Sequence, residues 1–386
     1  MVVYDAVVVG LGGVGSFALR NLARQGKGGK FLGIERFNIG HSNGSSHGKS
    51  RIYRRAYFEH ANYVPWIEYS LKQFRELEVS SGLSLMEECG ALVMDTTDDP
   101  NKLPPYVQAC HDSAQEHGIP VEVLELGDLQ ERFPQLWYNH KGMMGIYEPH
   151  AGILRPERII KAALDEAKAK DSVEITENGW VAEIQDLSKP GERGPVELVI
   201  KTDDGQEQHV VTRNLLVAAG AWTGQLIPEW KPHLSVTRQV QGWIDVSKTE
   251  GDSSLFDSAN FPAWFMSSPD LPLPAYGIPC DTNGDEEYKH WIKVGVHGRN
   301  ISVRDLAKNP ATCSPIEKAE MQLSTARSLS TAAWRSPQNP MPSYAELKPC
   351  LYTMTADTHY MIGKPAGYES VFCVAGLSGH GELLCT

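Results

Sequence analysis

The most constraining feature of this chain lies in its first 36 residues. A short β-branched apolar run from Tyr4 to Val9 leads into Gly10-Leu11-Gly12-Gly13-Val14-Gly15, and Val14, Phe17, Leu19 and Leu22 then recur at helical spacing up to Arg24. A second strand is expected at Phe31 to Ile34, closed by the acid Glu35. Strand, glycine turn, helix, strand and acid about 20 residues on form the full dinucleotide fingerprint. Each glycine has a separate task. Gly10 allows the turn, Gly12 lets backbone approach a pyrophosphate, and Gly15 lets the helix pack on the strand, while the helix N-terminus offers free N–H groups. Glu35 would accept from ribose hydroxyls and would repel a 2′-phosphate, so NAD or FAD is expected rather than NADP. Spacing does not choose between nicotinamide and flavin.

With 386 residues and roughly 150 per domain, the chain has length for two or three domains. Thirty-six basic against 48 acidic side chains give a net charge of −12, which disfavours nucleic acid and basic membrane-surface binding. No apolar run approaches a membrane span, and Ala6 to Val9 is too short for a signal core, so a cytoplasmic chain is expected. Seven cysteines without a CxxC pair suggest neither zinc nor a disulfide framework. The ending Leu384-Cys385-Thr386 is not an SKL-type address.

Further along, Gly40 to Ser50 reads as a long polar glycine-rich loop. Helices are expected near Pro65 to Glu78, Pro104 to His117 and Pro156 to Lys170, and strands at Val173 to Thr176, Val196 to Ile200 and Leu215 to Ala218. From about Pro228 to Pro342, prolines, tryptophans and strands at Ser235 to Val246 and His290 to Val296 indicate a largely antiparallel second lobe. In Trp291-Ile292-Lys293-Val294-Gly295-Val296-His297, alternation puts Trp291, Lys293, Gly295 and His297 on one face.

Four segments carry a resemblance. The fingerprint is followed by His41-Ser42-Asn43-Gly44-Ser45-Ser46-His47-Gly48-Lys49-Ser50-Arg51-Ile52-Tyr53-Arg54, then Leu215-Leu216-Val217-Ala218-Ala219-Gly220-Ala221-Trp222-Thr223, then Cys350-Leu351-Tyr352-Thr353-Met354-Thr355, then Gly376-Leu377-Ser378-Gly379-His380-Gly381. In this order, over essentially the whole chain, they resemble the monomeric sarcosine oxidase family, which includes N-methyltryptophan and pipecolate oxidases. The resemblance implies an α/β fold, a Rossmann-type FAD-binding domain (1–88, 147–224 and 345–386) interleaved with an α+β catalytic domain built on an antiparallel sheet (89–146 and 225–344). It implies a monomer that oxidises N-methylated or cyclic secondary amino acids to imines and passes the electrons to O2, releasing hydrogen peroxide. The family also leaves a peroxisomal location open.

By the same resemblance, FAD is held by Gly10, Gly12, Gly13, Val14, Gly15, Glu35, Arg36, Ser45, Ser50 and Arg51 from the first segments. Val181, Ala219, Gly220 and Trp222 contribute from the middle of the chain, and Gly376, Gly379, His380 and Gly381 from its last part. Cys350 is implied as the thioether tether to the flavin. Arg51 would stabilise the reduced anionic flavin, Arg54 would take the substrate carboxylate in its planar fork, with Tyr352 beside the substrate, and Lys293 would activate O2. His47, Tyr276 and His297 match residues of the active site. A fixed base is not required, and a metal is not expected.

The sequence departs from the family after Gly381. Members typically read Gly-His-Gly-Phe-Lys and continue through a helix, whereas here Glu382, Leu383, Leu384, Cys385 and Thr386 follow. Leu383 replaces a lysine that shares the carboxylate, and the helix dipole facing the flavin would be cut short. The competing expectations are a weakly active or inactive FAD-binding isoform, a flavin dehydrogenase that avoids O2, and, from the fingerprint alone, a nicotinamide dehydrogenase.

Overall fold

The computed structural model describes residues 3–26, 28–138, 140–248, 252–299, 301–303, 306, 312–329 and 344–381. Leu383 and its neighbours at 382–386 lie outside the described residues.

A six-stranded sheet is built around the fingerprint, in the order Val173–Thr176, Phe31–Ile34, Ala6–Val9, Leu215–Val217, Val371–Ala375, Met361–Gly363. All its pairings are parallel except the last. Its central strands are buried throughout, as parallel strands covered on both faces must be. The helix Gly13–Gln25 follows the glycine turn and packs through Leu19 on one side of this sheet, where Ile160 and Leu164 of the helix Pro156–Lys168 join it. The expected first strand divides at Asp5. Val3–Tyr4 pairs with Glu207–Thr212 in a four-stranded sheet, whereas Ala6–Val9 enters the six-stranded one.

The second large layer has eight strands, in the order Glu346–Met354, Ser235–Asp245, Trp291–Val296, Ala275–Ile278, Ala263–Met266, Ala91–Thr96, Met143–Glu148, Glu122–Leu124. It is antiparallel except where Ala263–Met266 runs parallel to Ala91–Thr96. Its back face carries Val240, Ile244, Ile292, Val294, Val296, Trp264, Met266 and Leu92 into one apolar cluster. Residues facing one another in register share a side of a sheet, so the front face can be read strand by strand. Gln239 faces Cys350, Gln241 faces both Lys348 and Gly295, Trp243 faces Lys293, and Tyr276 faces Gly295 and Phe265. The strand Glu346–Met354 joins this sheet before Met361–Gly363 and Val371–Ala375 return to the six-stranded one. The chain segment beginning at 345 thus serves both layers.

A three-stranded sheet, Arg51–Tyr53, Gly152–Leu154 and Met86–Glu88, lies between these parts in sequence and presents Arg51. No helix among the described residues is long and apolar enough to cross a membrane.

Candidate active site

The carboxyl ends of the parallel strands and the front face of the eight-stranded sheet line one cavity of about 660 Å³, within the ordinary range for a bound small molecule. Ligands in open α/β sheets bind beyond the carboxyl ends of the strands, and four such ends meet here, at Gly10, at Glu35, at Ala218 to Gly220 and at Gly376.

The turn is closed by contact. Gly10 has φ +88° and donates its N–H to Ile34 O over 2.8 Å. A Cβ on Gly10 would stand 2.5 Å from Ala218 O, and one on Gly15 would stand 1.7 Å from Gly10 O. Gly12 caps the helix with no side-chain hydrogen bond, and Gly13 N–H donates to Ser46 Oγ at 3.1 Å. Glu35 accepts from Leu11 N at 2.9 Å and Phe37 N at 3.1 Å, with His41 Nε2 at 3.4 Å. Burial works against the Glu35 charge, but the His41 and Leu11 hydrogen bonds outweigh it and hold the carboxyl below its usual range. Arg36 lies over the Phe37 and Trp222 rings at the same end.

At the opposite end the chemistry concentrates. Lys293 is only 2% exposed, and its Nζ donates to Gly48 O at 3.1 Å and Ser50 O at 2.8 Å. Arg51 donates to Ser50 O at 2.9 Å, Ser45 O at 2.5 Å and Gln241 Oε1 at 3.4 Å. Two cations thus share one small set of carbonyl oxygens. Cys350 is buried, its Sγ 3.8 Å from Ser45 O, on the strand facing Gln239. Tyr276 and Tyr352 are half-buried, and loss of solvent pushes both phenols up; it pushes His297 down, and its ring lies 5.9 Å from Tyr352 and 6.0 Å from Phe265. His380 is pinned at Nδ1 by the hydroxyls of Tyr57 at 3.0 Å and Tyr360 at 2.9 Å, and its Nε2 lies 3.0 Å from Thr358 O.

Arg54 is buried and engaged. Its NH2 donates to both carboxylate oxygens of Glu59, at 2.9 and 2.8 Å, and NH1 donates to Ala56 O at 3.1 Å. Its guanidinium lies over Phe58 and Tyr57, 3.9 and 4.4 Å from the ring centroids. Burial disfavours the charge, and the Glu59 carboxylate more than offsets it, so Arg54 stays a cation.

The cavity wall includes Gly10, Gly12, Gly13, Val14, Glu35, Arg36, Ser45, Arg51, Arg54, Val181, Ala219, Gly220, Trp222, Tyr276, Lys293, His297, Cys350, Tyr352, Gly376, Gly379, His380 and Gly381. Gly15, His47 and Ser50 are expected site residues that do not line it. Gly15 sits under the turn, and Ser50 contributes its carbonyl to Lys293 and Arg51. His47 is buried with both ring nitrogens unpartnered; burial, then the Arg51 and Lys293 charges, push its pKa down to about 3, so it is a neutral ring behind the wall. Sequence reasoning did not single out Glu59, Tyr57, Phe265, Gln239 or Gln241, all of which line the cavity. Alternation within the expected strand Ser235 to Val246 would have set the two glutamines on one face, opposite to Val240.

A glycine-lined dinucleotide cradle opening onto a sheet face that carries a buried cation defines a nucleotide-dependent oxidoreductase. The chain belongs to the FAD dependent oxidoreductase family, whose profile matches residues 5–386. It is 27% identical over 381 residues to the monomeric sarcosine oxidase of Streptomyces avermitilis, covering 98% of this chain and 89% of that one. It is 27% identical over 385 residues to the N-methyl-L-tryptophan oxidase of Yersinia pestis, covering 99% and 92%. Among solved structures, NikD, an unusual amino acid oxidase essential for nikkomycin biosynthesis, superposes with a TM-score of 0.77 at 17% identity over 100% of this chain and 92% of that one. The cofactor is therefore FAD, and the residues present fit it: any Cβ at Gly10 would intrude on the turn, and Glu35 is held ionised beside it.

Proposed function

We propose that this flavoenzyme oxidises N-methylated or cyclic secondary amino acids of the sarcosine type. The substrate loses a hydride equivalent from carbon and a proton from nitrogen to become an imine, while O2 takes two electrons and two protons to become hydrogen peroxide; with an N-methyl substrate, water then releases an aldehyde and the amino acid. The supporting observation is a pair of cations at the cavity beside the dinucleotide cradle, the buried Lys293 on the front face of the eight-stranded sheet and the half-buried Arg51 on the three-stranded one, which share the Ser50 carbonyl.

FAD supplies the two-electron chemistry when bound. Gly10 to Val14, Glu35 and Arg36 hold its nucleotide end, with Val181, Ala219, Gly220 and Trp222 beside them, and Ser45, Gly376, Gly379, His380 and Gly381 close the rest of the site. Arg51 favours negative charge on the reduced cofactor, and Lys293 favours the charge that develops on oxygen as it is reduced. Cys350 is the residue for a covalent tether. Arg54 takes the carboxylate in place of Glu59, between the rings of Tyr57 and Phe58, while Tyr276, His297 and Tyr352 shape the space for the amine. His47 stays neutral near the Arg51 and Lys293 charges. The two interleaved domains, a monomeric state and a cytoplasmic location belong to the same reading.

The test is an absorption spectrum of the purified chain, acid precipitation, and a peroxide-coupled assay with sarcosine, N-methyltryptophan and pipecolate. A yellow pellet and peroxide release from one of these amines are expected. Flavin that no secondary amine bleaches without air would reject the oxidase reading, and a colourless pellet would reject the tether.

A further inference from the structure

Lys293 owes its position to a turn that is itself held from behind. Residues 48–50 have an unusual backbone: Gly48 has φ +103° and Lys49 has φ +67°, and Ser50 N–H donates back to Gly48 O over 2.7 Å. A lysine in the left-handed region is uncommon and persists only where its surroundings over-determine it. Here they do so through the turn's N–H groups. While the carbonyls of Gly48 and Ser50 point to Lys293 Nζ, the N–H groups of Gly48 and Lys49 converge on one carboxylate, Glu157 Oε1, at 2.7 and 3.1 Å, with Oε2 3.2 Å from Lys49 N. Successive N–H groups in such a turn form a natural anion cradle. Lys49 adds a second anchor, its Nζ reaching Asp285 at 3.0 Å, where Arg158 also binds at 2.9 Å. Turn and ammonium are in direct contact, since a Cβ on Gly48 would stand 3.0 Å from Lys293 Nζ and 2.3 Å from Gln241 Oε1. The turn cannot relax without moving the cation.

We propose that Glu157 is a positioning residue for Lys293: by fixing the 48–50 turn it sets where the ammonium stands at the cavity, and so the rate at which dioxygen is reduced. The inference rests on the reading of Lys293 as the oxygen-activating cation. Glu157 does not line the cavity and exchanges no proton. In the step concerned, O2 gains two electrons from the reduced cofactor, and the two protons that the amine gave up complete H2O2; Lys293 acts through its charge.

The experiment compares holoenzyme carrying Glu157→Ala, Glu157→Gln and Lys293→Met with the parent chain. Stopped-flow absorption follows reoxidation of dithionite-reduced enzyme by O2 and, separately, anaerobic reduction by sarcosine; hydrogen exchange follows the amides of the 48–50 turn. Displacements of an ångström can cost up to about 100-fold in rate, so Glu157→Ala is expected to slow reoxidation roughly tenfold and to leave reduction within about twofold. The turn amides should lose protection in the same variant. Glu157→Gln, which keeps one acceptor for the turn, should fall between Glu157→Ala and the parent chain, with reoxidation slowed only a few-fold. Should Glu157→Ala not yield folded holoenzyme, Glu157→Gln carries the comparison alone, with reoxidation slowed a few-fold and reduction unchanged. Equal slowing of both half-reactions, or parental reoxidation despite exposed amides, overturns the proposal. Slow reoxidation in Lys293→Met with parental rates in both Glu157 variants overturns the positioning role alone, whereas parental reoxidation in Lys293→Met removes the oxygen reading and this inference with it.

Discussion

Glu59 occupies Arg54 with both carboxylate oxygens, so an incoming carboxylate has to displace one that is already there. Removing its charge while keeping its shape should favour the newcomer. Glu59→Gln is expected to tighten acetate binding by roughly tenfold, the worth of one charge-assisted hydrogen bond, as read by titrating the flavin spectrum with acetate. An unchanged dissociation constant would remove Arg54 from the carboxylate site. His47 permits a second prediction, on stability. The unfolded chain takes a proton there near pH 6.5 and the folded chain only near about 3, so the histidine's contribution is intact above 6.5 and is lost as pH falls through that window. The slope can reach about 1.4 kcal/mol per pH unit. His47→Leu should flatten the difference between urea midpoints at pH 7 and pH 5, and an unaltered difference would mean that the ring is not buried neutral. Arg51, Arg54 and Lys293 were named through the resemblance, since by pattern alone an arginine cluster reads as a solvated face and a lysine on a strand as a surface residue; all three line the cavity. Glu59 was not, because an acid five residues after an arginine has no pattern until the chain turns back on itself. Glu157 is hidden for a similar reason: at the start of a helix, an acid reads as a dipole partner and nothing more.

Among the elements, the glycine turn and its helix were the most legible, because local sterics decide them. The helix runs Gly13–Gln25 against an expectation of Val14 to Arg24, and the strand Phe31–Ile34 falls where expected. The close approach of Gly15 to Gly10 O leaves no space for a methyl group. Gly15→Ala should therefore force helix and strand apart, cost about 1–3 kcal/mol as overpacking does, and release flavin; gel filtration of the variant with and without its yellow colour, alongside a urea titration, would test this. Retention of full flavin at parental stability would contradict the contact. The longer-range pairings were not legible. Tyr4 to Val9 reads as one strand, and only the tertiary structure reveals that Asp5 divides it between two sheets. Likewise, the antiparallel character of the second lobe follows from its short strands and prolines, but the pairing of Ser235–Asp245 with Glu346–Met354 joins segments far apart in the chain. That pairing is what brings Cys350 opposite Gln239, so the tether candidate could be named from the motif but not placed from it.

At the scale of the whole molecule, the cavity is a seam between two sheets, and whatever fills it ties them together. A ligand present at 100 times its dissociation constant stabilises the folded state by about 2.7 kcal/mol. If flavin is only dissociable, the melting temperature should rise with added FAD; if Cys350 holds it covalently, added FAD should leave the holoenzyme unchanged, and Cys350→Ser should restore the dependence. A concentration-dependent melting temperature in the parent chain would count against the tether. The order in which the seam is assembled has a consequence for biosynthesis. Its wall begins at Val9 and Gly10 and is completed by Cys350 to Thr353 and Val374 to Gly381, so the first and last parts of the chain meet across it. A ribosome that has released the first 224 residues has made the nucleotide turn, Glu35 and Arg51, yet neither Val371–Ala375, the second strand flanking Leu215–Val217, nor the strand that carries Lys293 exists. Contacts between such distant segments form late and slowly. Flavin capture therefore waits until residues 350–381 have been made, and the cell's free FAD meets no complete site before then.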